Sequence, residues 1–397
     1  MKKTLVSLST AVLLGLSSLY AYAADPIVIK FSHVVAPDTP KGKAAEKFKT
    51  LAEEKTKGAV KVEVYPNSTL YKDKEEMEAL QMGAVQMLAP SLAKFGPLGV
   101  KDFEAFDLPY IFDSYAALHT VTQGQVGKDL LAKLEPKGIK GLAYWDNGFK
   151  VMSANKPLKA VADYKGLKMR IQSSKVLEAE MRALGANPQV LPFSETYQAL
   201  QTGVVDGTEN PPSNMYTQKM HEVQKHATVT NHGYLGYAVI ANKAFWDKLP
   251  EDVRKGLDEA MTESTEYANK IAKEENDKAL EAIKASGKTE IYTPTADETT
   301  ALKAALMPVH EEMADRIGKD LIESIKKATA SAPKEEAKAD AKEEKAEAKE
   351  AKADAKERKL KLKKQRRMQK KRKLKLKRKK QSNSLPHRVT IKSLYST

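Results

Sequence analysis

An arginine at the end of an apolar run is the residue in this chain whose neighbours best suit anion binding. The stretch LKMRIQSS at residues 167–174 brings Arg170 to the end of a β-prone segment, and Ser173 and Ser174 open a helical pattern directly after it. A guanidinium group can hold a carboxylate with two parallel hydrogen bonds, and a helix start adds backbone N–H groups and a partial positive charge. The stretch therefore predicts an anion clamp, with a surface arginine at a strand end as the alternative.

The patterns that would indicate catalysis or a metal site are missing from the sequence. His221 and His226 are five residues apart and do not share one face of a helix, as a metal-binding pair at i and i+4 would. There is no glycine-rich phosphate loop, no GxSxG motif and no cysteine. We therefore expect a binding protein that is not an enzyme and that uses neither a metal nor a cofactor.

The formal net charge of +15 belongs to the C-terminal tail. Residues 331–397 hold 25 basic and 9 acidic residues, whereas residues 1–330 hold 42 basic and 43 acidic residues. Bulk charge thus gives no reason to expect the rest of the chain to bind nucleic acid. The tail is an Ala/Lys/Glu/Asp repeat, followed from Arg358 by a segment without acidic residues, and such low-complexity sequence is expected to be disordered. One hypothesis is that the segment after about Glu357 is a frameshifted reading of the same repeat.

The N-terminus has the three parts of an export signal. Lys2 and Lys3 precede an apolar stretch at residues 5–20, and AYA follows at residues 21–23. This order predicts a signal peptide over residues 1–23 and a mature protein in the periplasm. An uncleaved N-terminal anchor is the alternative.

Residues 27–91 alternate between strand and helix patterns. Strands are expected near residues 27–31, 60–64 and 85–89, with helices between them, one of them over residues 72–82. Such a β-α-β-α-β order predicts a mainly parallel sheet covered by helices on both faces. Ligands bind at the carboxyl ends of strands in such sheets, and His33, Lys72 and Ser91 all fall at these ends or in the turns after them.

Residues 151–235 repeat this order in a second unit. A helix from about Ser174 to Leu184 separates two strand patterns, and Ser194 is the expected N-cap of the next helix. Asn210 and Asn214 should lie close together on a turn or a first helical turn. Farther on, residues 234–242 predict a strand that returns to the first sheet. Residues 252–286 predict one helix of about 50 Å, long enough to brace both units.

Several motifs in this order resemble the solute-binding proteins of tripartite ATP-independent periplasmic (TRAP) transporters. They are FSH at 31–33, YPNS at 65–68, LKMR at 167–170, LPFSE at 191–195 and VDGTENP at 205–211. The resemblance extends from about Ala24 to Ala328 and is nearest to members that bind C4-dicarboxylates.

The resemblance implies a two-domain α/β periplasmic binding protein of the Venus-flytrap type. It would have mainly parallel sheets, crossing hinge strands and a long domain-spanning helix. Domain I would comprise residues 24–147 and 236–275, and domain II residues 148–235 and 276–330. The low-complexity tail would occupy residues 331–397.

The resemblance also implies a set of ligand-binding residues. The selectivity arginine of the family corresponds to Arg170 and its paired asparagine to Asn210, with Ser173 and Phe193 lining the same cleft. From the other domain come His33, Ser91 and Lys72, the last as a second cation that suits a second carboxylate. Lys150 stands where some relatives carry another ligand-binding arginine, although a lysine cannot form the same fork.

Two further residues complete this set: Asn214, for its expected closeness to Asn210, and Trp145, as an aromatic that could cover a ligand's carbon chain. Several of these residues could instead have a purely structural role. Lys72 could be a solvated lysine in a first helical turn, and His33 a structural histidine. Trp145 and Phe193 could be core residues, and Asn210 could cap a turn.

Together these observations predict a periplasmic subunit that captures malate, succinate or fumarate by domain closure. It would act as a monomer and deliver the ligand to the small and large membrane permease subunits of a TRAP transporter. One alternative is a member of the same family that binds another organic monocarboxylate. The other is an exported polyanion-binding protein that acts through its basic tail.

Overall fold

The structure is a computed structural model that describes residues 25–332, so the predicted signal peptide and all but two residues of the tail lie outside the described residues. The strands of this part of the chain are Ile27–Ser32 (β1), Val60–Tyr65 (β2), Met87–Leu88 (β3), Ile139–Phe149 (β4), Val151–Ala154 (β5), Lys168–Ile171 (β6), Asn187–Val190 (β7), Gly207–Asn210 (β8), His226–Thr228 (β9), Tyr234–Asn242 (β10) and Glu290–Tyr292 (β11).

The helices of the same residues are Pro40–Lys55 (α1), Glu75–Gln81 (α2), Tyr115–Thr122 (α3), Gln125–Ala132 (α4), Lys175–Ala183 (α5), Thr196–Thr202 (α6), Pro212–Thr217 (α7), Lys243–Asp247 (α8), Glu251–Ser286 (α9), Ala296–Leu306 (α10), Pro308–Ile317 (α11) and Lys319–Ala330 (α12). None of the helices in residues 25–332 is long and apolar enough to cross a membrane.

The strands form two mixed sheets, in the orders β2-β1-β3-β10-β4 and β11-β9-β5-β8-β6-β7. The expected parallel pairing holds for β2-β1-β3 and for β7-β6-β8, where helices connect successive strands. Strands β5 and β10, which enter their sheets from the other half of the molecule, instead pair antiparallel with both of their neighbours. The two-sheet α/β architecture expected from the sequence is confirmed, while the residue boundaries of the two domains stay a prediction.

Two short crossings between consecutive strands join the sheets, in addition to the long helix described below. Strand β4 ends at Phe149 in the first sheet and β5 begins at Val151 in the second, with Lys150 alone between them. The return crossing runs from β9 to β10 through residues 229–233, and the Lys150 N–H donates to the Gly233 carbonyl at 2.9 Å. The predicted strand over residues 234–242 is therefore confirmed as a member of the first sheet.

Helix α9 is the long helix predicted from its apolar repeat. Its 36 residues correspond to about 54 Å at 1.5 Å per residue. Val253 and Leu257 near its start are buried with the first sheet, whereas Ile283 near its end is buried with the second. The helix ends at Gly287, whose φ of 66° few other residues adopt readily. One rigid element thus spans both halves.

Local sequence explains where the helices near the sheets' edges begin. The Thr39 hydroxyl caps α1 by accepting from the Gly42 N–H at 3.1 Å, and Pro40 fits the first helical position. Ser174 is the cap of α5, as its position after the strand predicts. Ser194 is not a cap, because residues Phe193–Glu195 form a 3-10 turn ahead of α6.

Candidate functional site

A cavity lies between the carboxyl ends of the strands of the two sheets. Its lining residues are Val34, Val35, Lys41, Asp73, Ser91, Lys94, Arg170, Gln172, Phe193, Asn210, Asn214, Leu235 and Tyr237. Five of the residues singled out from the sequence are among them: Ser91, Arg170, Phe193, Asn210 and Asn214. The lining includes three cations and one carboxylate, so the cavity suits an anion.

Arg170 is fixed at the cavity by its own sheet. It occupies β6 between β7 and β8, and its side chain is only 1% exposed. Its Nε and Nη2 atoms donate to the Leu191 carbonyl at 3.0 and 2.8 Å. This leaves Nη1 without a protein acceptor among the described residues. The ring of Phe193 covers the guanidinium, with its centroid 5.8 Å from Cζ. Burial lowers the pKa of Arg170 below its ordinary value, but an arginine in a protein keeps its charge.

Two asparagines supply amide groups beside the arginine. Asn210 ends β8, and Asn214 lies in the first turn of α7, where its Nδ2 atom donates to Asn210 Oδ1 at 3.4 Å. The closeness of these two residues, expected from the sequence, is confirmed. Asn147 positions two of the lining residues. Its Nδ2 atom donates to Asn214 Oδ1 at 3.0 Å and to the Tyr237 hydroxyl at 2.7 Å.

Lys94 is a buried lysine that already has two carboxylate partners. Its Nζ atom lies 3.0 Å from Asp73 Oδ1 and forms a close ion pair with Glu76. Burial alone would raise the pKa of Asp73, but Lys94, Arg170 and the Phe193 N–H lower it to about 2. Burial raises the pKa of Glu76 above its ordinary value even though Lys94 opposes this shift. The charge of Lys94 is therefore used within the protein.

Lys41 is a second buried lysine, and it has no carboxylate partner among residues 25–332. Its Nζ atom donates to the Ala89 carbonyl at 2.9 Å and lies 3.8 Å from the centre of the Tyr237 ring. Its side chain is 1% exposed. Burial, together with the positive charge of Lys94, lowers the pKa of Lys41 to about 7. Its ammonium group can therefore accept a further anionic partner.

Polar contacts join the two halves across the cavity. Asp73 Oδ2 accepts from the Phe193 N–H at 2.8 Å, and the Ser91 hydroxyl donates to the Gln172 side chain in a short hydrogen bond. Asp73 and Ser91 belong to the half that contains the first sheet, whereas Phe193 and Gln172 belong to the other half. The structure is thus one in which the two walls of the cavity touch.

Lys72 does not line the cavity, contrary to its expected role as the second cation. Helix α2 begins at Glu75 rather than at Lys72, so Lys72 lies in the preceding loop and its side chain is 51% exposed. Its Nζ atom pairs with Glu195 Oε1 at 2.8 Å. The lysines that line the cavity are instead Lys41 and Lys94, which were not singled out from the sequence.

Four other expected residues also lie outside the lining. Trp145 is packed in the core against Phe31, with ring centroids 5.9 Å apart, because its position in β4 faces the core. His33 is buried, and burial and the charge of Lys41 lower its pKa to about 3, which keeps it neutral. Ser173 is half-buried in the turn before α5. Lys150 belongs to a separate buried cluster.

This buried charge cluster consists of Lys150, Glu209, Glu180, Asp107 and His232, and all five side chains are nearly inaccessible. Lys150 Nζ lies 2.6 Å from Glu209 Oε2, and His232 Nε2 lies 3.5 Å from the same oxygen. Burial raises the pKa of Asp107 to about 7 and that of Glu180 well above its ordinary value. Lys150 thus has a structural role, because its ammonium group already forms an ion pair with the Glu209 carboxylate.

Two consecutive residues of β8 contribute to the buried cluster and to the cavity. Glu209 points into the cluster and its neighbour Asn210 lines the cavity, as expected for consecutive residues on opposite faces of a strand. Among the described residues, no three His, Asp or Glu side chains are grouped so that they could hold a metal ion.

Comparison with known proteins identifies relatives over most of the chain. Residues 31–317 match the family described as bacterial extracellular solute-binding protein, family 7. The C4-dicarboxylate-binding periplasmic protein DctP of Rhodobacter capsulatus is 71% identical over 329 residues, which cover 83% of this chain and 99% of that relative.

Solved structures of relatives share the fold. A TRAP periplasmic solute-binding protein from Shewanella oneidensis with bound succinate is 44% identical, with a TM-score of 0.75, and the match covers 77% of this chain and 99% of that one. A TRAP periplasmic solute-binding protein from Pseudomonas aeruginosa with bound L-malate is 47% identical, with a TM-score of 0.71, and the match covers 72% and 100% of the two chains.

Proposed function

This chain belongs to bacterial extracellular solute-binding protein family 7, and we propose that it is the periplasmic subunit of a TRAP transporter that captures a C4-dicarboxylate such as malate, succinate or fumarate. The relatives described above support this ligand class, since the curated one is a C4-dicarboxylate-binding protein and the two solved structures hold succinate and malate. In this proposal the chain is a monomeric carrier without catalytic activity. It hands its ligand to the small and large membrane permease subunits.

The observation that carries the proposal is the pair of unpaired cations in the cavity wall. Arg170 comes from the second sheet and Lys41 from the helix that covers the first, and within the described residues both donate to backbone carbonyls and neither forms an ion pair. A diacid has one carboxylate for each of them. Each charge-assisted hydrogen bond is worth about 1.5–3 kcal/mol net, so two anchored carboxylates give a diacid a clear advantage over a monoacid.

The neutral polar groups of the cavity suit the remainder of such a ligand. Asn210 and Asn214 can donate to carboxylate oxygens or accept from a hydroxyl group, and Ser91 and Gln172 can do either. Phe193 supplies an apolar surface next to Arg170 for a short carbon chain. These groups accommodate succinate and fumarate as well as the hydroxyl of malate.

Capture would proceed by closure of the two halves around the ligand. We assign residues 24–147 and 236–275 to one half and residues 148–235 and 276–330 to the other. Closure brings Asp73 to the Phe193 N–H and excludes water, which strengthens the ligand's electrostatic contacts. The Lys150 crossing and the return crossing at residues 229–233 would act as the hinge.

A thermal-shift screen of the full chain tests the ligand class. Malate, succinate and fumarate should each raise the melting temperature at millimolar concentration, while butyrate and lactate should raise it much less. A larger shift with a monocarboxylate would replace the dicarboxylate assignment within the same family. If no organic acid gives a shift and salt-sensitive DNA binding is found instead, the role belongs to the basic tail and the proposal is wrong.

A further inference from the structure

Lys41 differs from the other cations of the cavity in what surrounds it. Lys94 is shared between two carboxylates, and the Arg170 guanidinium holds the Leu191 carbonyl and keeps its charge. Within residues 25–332, the buried ammonium of Lys41 has one neutral acceptor, Ala89 O at 2.9 Å, and the face of the Tyr237 ring. A group with so few partners for its charge can lose its proton more readily than the other two.

The charged and titratable groups around Lys41 together disfavour its positive charge. Lys94 repels its charge, whereas Asp73 and Glu76 attract it but already share Lys94. His33 is neutral beside it, and Tyr237 is a neutral phenol whose hydroxyl accepts from Asn147. Lys41 also stands in the first turn of α1, where the partial positive charge of the helix end opposes an ammonium ion. The lowered pKa of Lys41 agrees with this environment.

A doubly charged ligand changes the net charge inside the cavity. With Lys41 neutral, the two positive charges of Lys94 and Arg170 equal in number the two negative charges of Asp73 and Glu76, although Arg170 forms no ion pair with them. A dianion would then give the closed cavity a net charge of about −2. Buried charge is costly unless it is paired. A proton on Lys41 removes one of these charges and supplies three N–H donors at the cavity wall.

We propose that Lys41 takes up a proton when a dicarboxylate binds, so that ligand capture by this protein is coupled to protonation. This inference rests on the proposed function. In the step, the neutral amine of Lys41 receives a proton from solvent and becomes the ammonium that pairs with one ligand carboxylate. No other bond is made or broken. The ligand therefore completes the site by changing the charge of the protein.

The direction of the pH dependence follows from the proton balance. Below about pH 7 the empty protein already carries the Lys41 proton, so binding takes up little. Above about pH 7 the empty protein has lost the proton and regains it with the ligand, so affinity falls by about tenfold for each pH unit. An alkaline medium thus favours release.

Isothermal titration calorimetry of the full chain with succinate measures this uptake directly. Titrations at pH 6 and pH 8, each in two buffers of different ionisation enthalpy, give the number of protons exchanged. We expect about one proton taken up at pH 8 and little at pH 6. Lys41→Arg keeps a positive charge that does not titrate in this range, so it should bind without uptake at pH 8. Lys47→Arg changes an exposed lysine of the same helix and should behave as the unchanged protein.

Glu76→Gln and Asp107→Asn separate Lys41 from other buried groups that are able to take a proton. Uptake at pH 8 should persist in both variants. The inference is overturned if uptake does not rise between pH 6 and pH 8 in the unchanged protein, if it persists in Lys41→Arg, or if Glu76→Gln or Asp107→Asn abolishes it. Where Lys41→Arg fails to bind, the uptake at the two pH values in Glu76→Gln and in Asp107→Asn decides the matter, and loss of uptake in either variant overturns the inference. Succinate binding without uptake refutes only this inference, whereas no binding of any dicarboxylate refutes the proposed function and the inference with it.

Discussion

Arg170 and Leu191 are joined by two hydrogen bonds, from Nε at 3.0 Å and from Nη2 at 2.8 Å to one carbonyl oxygen. The carbonyl holds the guanidinium plane in place before any ligand arrives. A rigid, pre-oriented donor group loses little conformational freedom on binding. The segment directly after β7 therefore contributes to the site through a backbone carbonyl that orients Arg170.

Replacing Arg170 should abolish most dicarboxylate affinity. In Arg170→Ala the site loses a charge-assisted contact, and we expect a loss of at least about 1.5–3 kcal/mol, or roughly ten- to a hundredfold in Kd. Arg170→Lys should not restore affinity, because a lysine cannot both hold the Leu191 carbonyl and present a planar fork. Calorimetry with succinate measures both variants, and normal binding by either would refute the clamp.

Replacing Lys72 should leave ligand binding unchanged. The side chain is about half exposed and pairs with Glu195 outside the cavity, so Lys72→Ala removes no contact with the ligand. Succinate titrations of this variant and of Arg170→Ala, done side by side, give the comparison. A loss of affinity in Lys72→Ala similar to that in Arg170→Ala would return Lys72 to the site.

Removing Lys94 should destabilise the fold. Lys94→Met leaves Asp73 and Glu76 buried without their cation, and breaking a buried pair in this way costs about 3–5 kcal/mol. Urea unfolding at pH 7 measures the loss. The double variant Lys94→Met/Glu76→Gln should recover part of it, because one uncompensated carboxylate is gone. Equal stability of the single and double variants would contradict this account.

Lys150 should behave as a structural cation. In Lys150→Met the Glu209 carboxylate is left uncompensated, and we expect a loss of about 3–5 kcal/mol in the free energy of unfolding. Lys150→Met/Glu209→Gln should be clearly more stable than the single variant. If Lys150→Met instead retains full stability and loses succinate affinity, the residue contacts the ligand after all.

Asp107 should make the protein less stable as the pH rises from about 4 to 7. Its pKa is raised by burial to about 7, so between the unfolded and folded pKa values the folded state binds the extra proton. The stabilisation is fully present below pH 4 and lost by about pH 7, an effect of about 4 kcal/mol. Asp107→Asn lacks this titration, so its stability relative to the unchanged protein should improve across that window. Urea unfolding at pH 4, 5.5 and 7 is the measurement, and a constant difference would exclude the effect.

The sequence located the part of the site that regular elements carry. Arg170 comes at the end of an apolar strand pattern, and parallel strands bring such ends to the same edge of a sheet. Asn210 was assigned from the resemblance of the motif that contains it. The long helix was readable because its apolar residues repeat at the helical period. Short strands such as β9 and β11 were missed because three residues give no periodic signal.

The cations of the first half could not be placed in the same way. Lys41 stands in a first helical turn and Lys94 in a short turn, and in sequence both look like solvated lysines. Their burial is decided by Tyr237 and by the carboxylates of the α2 region, which are distant in the chain. Trp145 was misplaced for a related reason, since only the register of β4 against β10 shows which face its side chain occupies.

Substitutions on the two faces of strand β8 should affect two different properties, ligand recognition and the stability of the scaffold. A substitution at Asn210 alters what the cavity recognises and leaves the buried charges of Glu209 and Lys150 in place. A substitution at Glu209 disturbs the frame that holds the recognition residue, and would register as weaker binding without any change of preference. New ligand selectivity can therefore be engineered or evolved on one face of this strand while the other face preserves the scaffold.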